Sequence, residues 1–171
     1  MPSPISCFAP IIPNHPKVII LGTMPSVKSL EEAFYYAHPR NAFWFIIADL
    51  VGRELPSEFD KRQACEELGI LLWDVLSDCQ REGSLDSNIK QPQANDFGSL
   101  LKQYPHVKQI FFNGQPAANL FQQQVVKKQS LPENLVFTTL TSTSPANARL
   151  TIDAKRLLWK EKLAPVLFDK S

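Results

Sequence analysis

The sequence predicts an α/β fold in which a mostly parallel sheet carries helices on both faces. Four short runs, Lys17 to Leu21, Ile70 to Leu76, Val107 to Phe112 and Leu135 to Leu140, read as strands, the first with the continuous apolar pattern of a buried parallel strand. Segments with helical caps and periodicity separate them, so strand and helix alternate along the chain. With 171 residues and 44% hydrophobic content, the chain has enough material for one compact domain over residues 1–171.

Each element has a local cause. Residues 1–16 read as an extended N-terminal segment, because Pro2, Pro4, Pro10, Pro13 and Pro16 block regular structure. The first strand ends in the turn Gly22-Thr23-Met24-Pro25-Ser26. Ser29 to Ala37 follows as a helix, with Ser29 as N-cap and Glu31 and Glu32 near the positive end of its dipole. His38-Pro39-Arg40-Asn41 interrupts it, and Ala42 to Val51 resumes as an apolar helix. Ser57 to Leu68 is a polar-faced helix stopped by Gly69, which can adopt the left-handed conformation of a helix end. After the second strand, Gly, Ser, Asn and Pro make residues 80–95 a long loop. Asp96 caps a helix through Tyr104, and Gln115 to Lys127 forms the next. Thr141 to Arg149 is a polar loop, and Thr151 to Leu167 a closing helix.

Composition narrows the function only slightly. The 18 basic and 17 acidic residues give a net charge of +1. Proteins that hold nucleic acid mainly through charge are far more basic, so any such binding would need a local face. Cys7, Cys65 and Cys79 are isolated, whereas structural zinc and iron–sulfur sites want four ligands at recognisable spacing. Their odd number and the lack of a secretion signal imply reduced thiols in a cytoplasmic or nuclear setting. No apolar stretch approaches the roughly 20 residues that span a membrane. No GxGxxG or P-loop pattern follows the first strand.

In parallel sheets, ligands bind beyond the carboxyl ends of the strands. That rule selects the loop after Leu21, Asn113-Gly114 and Thr141–Arg149. The Asn113 amide offers donors and an acceptor suited to a base edge, or simply starts an Asn-Gly turn. Asn41 is placed to cap the helix that begins at Ala42. Asp74 and Asp78, near the end of the second strand, serve either chemistry or the loop's hydrogen bonds. The Lys127–Lys128 pair reads as a solvated helix end.

The strand followed by GTMPS, the stretch YYAHPRNAFW, the strand end Phe111-Phe112-Asn113-Gly114 and the loop Ser142-Thr143-Ser144-Pro145-Ala146-Asn147 occur in that order. Together they resemble the hypoxanthine-DNA glycosylases of the uracil-DNA glycosylase superfamily, over essentially the whole chain. The resemblance implies a three-layer α/β/α sandwich on a central four-stranded parallel sheet. It also implies a monomer that acts on DNA containing a deaminated base, without cofactor or metal. The target nucleotide is extruded from the duplex and read in a pocket.

On this resemblance, Asn41 positions water or stabilises the transition state. An amide is too weak a base to do more than orient and polarise. Ser142, Thr143 and Ser144 would donate hydrogen bonds to the base or to phosphate. Gly22, Thr23, Met24, Phe43 and Asn113 would contact the base, with Phe43 stacking on it or buried as core. Ser26, His38, Arg40, Pro145, Asn147 and Arg149 would face the DNA. Two departures stand out: no carboxylate directly follows the first strand's glycine, and the Ser-Thr-Ser-Pro loop holds no histidine. Both fit a hypoxanthine enzyme better than a fast uracil enzyme. A uracil-preferring glycosylase and a catalytically silent nucleic-acid-binding module on the same fold are the alternatives.

Overall fold

The computed structural model describes residues 4–168; the expectation for residues 1–3 lies outside them. Strand β1 is Pro4–Ser6 and β2 is Val18–Gly22. Helices α1, Val27–Glu32, α2, Phe43–Val51, and α3, Glu58–Leu68, precede β3, Ile70–Asp74, and β4, Leu76–Gln80. A short 3₁₀ turn at Asp86–Asn88 leads to β5, Lys90–Ala94, α4, Phe97–Gln103, and β6, Gln109–Asn113. Helix α5, Gln115–Phe121, runs into a π-helical turn at Gln122–Val126, and β7, Val136–Leu140, and α6, Ile152–Leu167, complete the chain.

The main sheet is four-stranded and parallel, in the order β3-β2-β6-β7. Alternate side chains of its strands leave on opposite faces. Val18, Ile20, Ile70 and Leu72 pack under α2, α3 and α6 with Phe43, Ile47, Cys65 and Trp159. Ile19, Leu21, Leu71 and Ile110 pack on the other face with Phe97, Leu101, Phe121 and Val125 from α4, α5 and the π-helical turn. The result is the expected three-layer sandwich. Because the chain passes from β2 to β3 and then crosses to β6, the strand order reverses beside β2, which is where such sheets open a crevice. Among the described residues, no helix is long and apolar enough to cross a membrane.

Four expectations need correction. Helix α1 is capped by Ser26, whose Oγ accepts from the Ser29 N–H at 3.1 Å, and it ends at Ala33 in the left-handed region, φ 56°. Ser29 is instead buried and accepts from the Ala37 N–H, so the Phe34–Tyr36 aromatics turn inward without helix. The second apolar run splits: β3 ends at Asp74, and β4 turns away to pair antiparallel with β1 and β5. The 80–95 segment therefore contains a strand. β5 lies at the edge of that small sheet, where Pro92 is tolerated. The helix from Gln115 to Lys127 loses α geometry after Phe121. The caps at Asp96 and Thr151 and the left-handed Gly69, φ 76°, stand as expected.

Candidate active site

A hollow of about 110 Å³ opens at the carboxyl ends of all four parallel strands. One water needs only roughly 10–15 Å³ of such space, so a larger group fits. After β2 come Gly22, Thr23, Met24, Pro25 and Ser26; β3 contributes Asp74; β6 ends in Asn113; Ser142, Thr143 and Ser144 follow β7. Asn41 and Tyr36 close the side next to α2, and Asp86 lies opposite. Residues distant in sequence thus share one small recess.

The Ser-Thr-Ser loop is held from several directions. Thr143 is buried, and its carbonyl accepts from the Ala42 N–H at 3.0 Å. Asn113 Nδ2 donates to Thr143 Oγ1 at 2.8 Å, and Asn113 Oδ1 accepts from the Thr143 N–H at 2.9 Å. Asn147 Nδ2 donates to the Ser142 carbonyl, and the buried Lys155 ammonium to the Ser144 carbonyl. Trp159 Nε1 anchors the loop's start through the Thr141 carbonyl at 2.7 Å. A loop satisfied in this way is fixed before any ligand arrives, which is the condition for electrostatic preorganisation.

Asn41 does cap α2. Its Oδ1 accepts from the Phe43 N–H at 2.9 Å, which also settles which end of the amide is oxygen. The Asn41 amide therefore holds the helix with its oxygen while the residue lines the hollow. Asn113, by contrast, has both ends committed to Thr143 and keeps one N–H and one lone pair.

Two carboxyl groups face the recess. Asp74 is 3% exposed, and its Oδ2 has no hydrogen-bond partner. Burial, with the negative Asp86 nearby, pushes its carboxyl up to about 7, against the weaker pull of Arg81. Burial also raises Asp86, whereas a hydrogen bond from Thr23 Oγ1 at 2.6 Å and the Arg81 charge hold it down. The Arg81 guanidinium is buried below them and spends donors on the Gly83 and Pro25 carbonyls. Among the described residues, no group of three His, Cys, Asp or Glu side chains is placed to hold a metal ion.

Of the residues singled out in the sequence, Gly22, Thr23, Met24, Ser26, Asn41, Asn113, Ser142, Thr143 and Ser144 meet at this hollow. Phe43 does not. It is fully buried between Tyr36, Trp44 and Trp159, because the first turn of α2 aims it into the core. His38 lines a separate, larger cleft of about 750 Å³ and fixes its own loop by accepting from the Arg40 N–H. Arg40 and Arg149 are exposed, and neither they, Pro145 nor Asn147 reaches the hollow. Asp78 points elsewhere and accepts from Ser77 Oγ. Tyr36 and Asp86 were not singled out. Tyr36 lies inside the motif YYAHPRN, but nothing in the letters shows that its chain turns back under β2. Asp86 sits in a polar loop with no distinguishing pattern.

A family model described as the uracil DNA glycosylase superfamily matches residues 9–164. A hypoxanthine DNA glycosylase of Methanosarcina barkeri is 30% identical over 156 residues, covering 90% of this chain and 94% of that protein. A hypoxanthine DNA glycosylase of Methanosarcina acetivorans is 34% identical over 112 residues, covering 64% of this chain and 71% of its own length. A solution NMR structure of a uracil DNA glycosylase candidate from Methanosarcina acetivorans superposes with a TM-score of 0.79 at 27% identity, over 96% of this chain and 99% of that one.

Proposed function

The chain belongs to the uracil DNA glycosylase superfamily, and we propose that it hydrolyses the N-glycosidic bond of a deaminated base in DNA, hypoxanthine in deoxyinosine first among them. The observation that carries this reading is the convergence of Asn41, Asn113 and Ser142–Ser144 on one base-sized recess at the strand-order reversal. The names of the two Methanosarcina relatives support hypoxanthine as the base.

The reaction asks little covalent chemistry of the protein. The bond from C1′ to the base nitrogen breaks, its electron pair leaves with the base, and a water oxygen bonds to C1′ while releasing a proton. The site must orient that water and stabilise negative charge on the departing base. Asn41 has one face free for the first task, because its oxygen is steadied by the helix it caps. The Ser142 and Ser144 hydroxyls, on a loop held by Asn113 and Lys155, are placed for the second.

A nucleotide enters such a recess only after extrusion, which costs least for mispaired or damaged bases. The 750 Å³ cleft shares Tyr36 and Asn41 with the hollow and carries His38, Phe45 and Lys61, with Arg156 and Lys160 paired to Asp49 at its wall. It offers the flanking strand an aromatic face and cations within a protein of nearly zero net charge.

A single-turnover assay on matched oligonucleotides bearing inosine, uracil or xanthine tests the function. An alkali-labile break at inosine, faster than at uracil, is expected. Intact strands in all three would remove the glycosylase reading, and binding without a break would favour a silent DNA-binding module.

A further inference from the structure

The floor of the recess holds two polar atoms that accept or donate no hydrogen bond of good geometry among the described residues. They are Asp74 Oδ2 and the Tyr36 hydroxyl, both buried and both without a hydrogen-bond partner. Leaving such groups unpaired costs stability, more so for a charged one. Their neighbours are occupied elsewhere. Arg81 spends donors on backbone carbonyls, and Thr23 is given to Asp86. The Asn113 amide, bonded to Thr143, keeps one N–H beside the Tyr36 hydroxyl; it can only donate to that oxygen, so the hydroxyl's own proton stays free.

Gly22 is what lets both side chains pack this close to the end of β2. A Cβ on Gly22 would sit 2.8 Å from Asp74 Oδ1 and 2.8 Å from the Tyr36 hydroxyl, so only glycine leaves room for both. Tyr36 is itself held in the left-handed region, φ 50°, a conformation that is strained for a bulky residue. That turn brings its hydroxyl under β2. Strain and unpaired polar atoms in one place indicate a ligand that completes them.

Granted the glycosylase reading above, we infer that Asp74 and Tyr36 are the specificity-determining pair, the Asp74 carboxylate accepting the ring N–H and the Tyr36 hydroxyl donating to the adjacent carbonyl oxygen of the flipped base. Deamination creates that pattern. Hypoxanthine, uracil and xanthine each place a ring N–H beside a C=O, whereas adenine and cytosine place a bare ring nitrogen beside an amino group. Above about pH 7, where Asp74 is ionised, it has no proton to offer, so a bare ring nitrogen would meet it lone pair to lone pair; the discrimination is read there. Guanine and thymine carry the same N–H and C=O, so this pair does not exclude them. Their stable pairing with cytosine and adenine, which makes extrusion costly, acts against them instead. The charged and titratable groups around Asp74 are Asp86, Arg81, Tyr36, Tyr35 and Cys7. A bound N–H at this position favours the ionised form.

The test measures binding of free hypoxanthine and free adenine to the protein with an abasic-site oligonucleotide, alongside single-turnover cleavage of inosine. Wild type should prefer hypoxanthine. Asp74→Ala should weaken hypoxanthine binding about 10- to 150-fold, the range for a hydrogen bond to a charged group, and leave adenine unchanged. Tyr36→Phe should cost less, about 3- to 10-fold. Asp74→Asn keeps the size of the side chain and can turn its amide to suit either base edge, so it should narrow the preference while remaining folded. Wild-type preference for hypoxanthine in folded Asp74→Ala or Asp74→Asn would overturn the assignment. Selective base binding that follows this pattern without strand cleavage would uphold the pair and instead remove the catalytic reading.

Discussion

Thr143 closes both ends of the Asn113 side chain, with its N–H on Oδ1 at 2.9 Å and its hydroxyl accepting from Nδ2 at 2.8 Å. Since the Thr143 carbonyl also receives the Ala42 N–H, one buried residue ties the end of β6 and the start of α2 to the loop after β7. Asn41 is the neighbour of Ala42. The spacing between the proposed water-positioning residue and the Ser-Thr-Ser loop is therefore set by this clasp.

Asn113→Ala should loosen that arrangement. It strands the buried Thr143 N–H, a loss of about 1–3 kcal/mol, which lowers the melting temperature by several degrees in a chain of this size. Thr143→Val removes only the hydroxyl contact and should cost less stability. Thermal melts of both variants check the order, and equal stabilities would deny the clasp its weight.

Asn41 combines a cap with a proposed catalytic role, and two substitutions separate them. Asn41→Ala should lose about 1 kcal/mol of stability through the uncapped Phe43 N–H. Asn41→Asp keeps an acceptor for the cap but no amide donor. Both should lower single-turnover cleavage by about 10²- to 10³-fold, the usual effect of deleting one preorganised donor. Near wild-type cleavage by folded Asn41→Asp would take the amide out of the mechanism.

Gly22→Ala should affect base binding more than the backbone, because the added methyl meets Asp74 Oδ1 and the Tyr36 hydroxyl at 2.8 Å. The expected outcome is a protein destabilised by about 1–3 kcal/mol that cleaves poorly. Equilibrium denaturation together with the oligonucleotide assay checks both parts.

Asp74 should leave a mark on the pH dependence of stability. An aspartate near 3.9 in the unfolded chain and at about 7 in the folded one keeps its proton longer in the native state. Between those values the native protein binds more protons, so stability is greatest below about pH 4 for this group and falls as pH rises to about 7. The melting temperature of Asp74→Asn, relative to wild type, should therefore climb across that window. A constant difference would mean that this carboxyl does not titrate there.

Phe43→Leu should behave as a core substitution. Its ring packs on Tyr36, Trp44 and Trp159 and does not line the recess, so stability should fall by about 1–3 kcal/mol. The relative rates on inosine and uracil should not change. A change in base preference would show that the ring shapes the base site, directly or through Tyr36.

How far the chain could be read varied from element to element. The runs that became β2, β6 and β7, the Gly69 stop and the caps at Asp96 and Thr151 were legible because each rests on local chemistry: a short hydrophobic stretch, a left-handed glycine, a side chain that caps the helix it begins. Strand β5 was hidden because Lys90-Gln91-Pro92-Gln93-Ala94 has no apolar alternation and gains its pairing from β4 alone. Helix α1 was misread because two serines, Ser26 and Ser29, offered alternative caps ahead of the same two glutamates. The choice fell to Ser26 only when Ser29 was buried by the aromatics after it.

By itself the sequence determined the alternation of strand and helix, the segments that stand at the carboxyl edge of the sheet, and the motifs around Asn41 and Ser142. These depend on neighbours along the chain, where letters and spacing carry the physics. Tertiary structure alone decided that Phe43 is core, that the Asn113 amide is consumed by Thr143, and that Asp74 and Tyr36 stand unpaired on a glycine floor. Hydrogen-bond partners and desolvation belong to the space between distant segments, and no local pattern records which polar group will be left without a partner there.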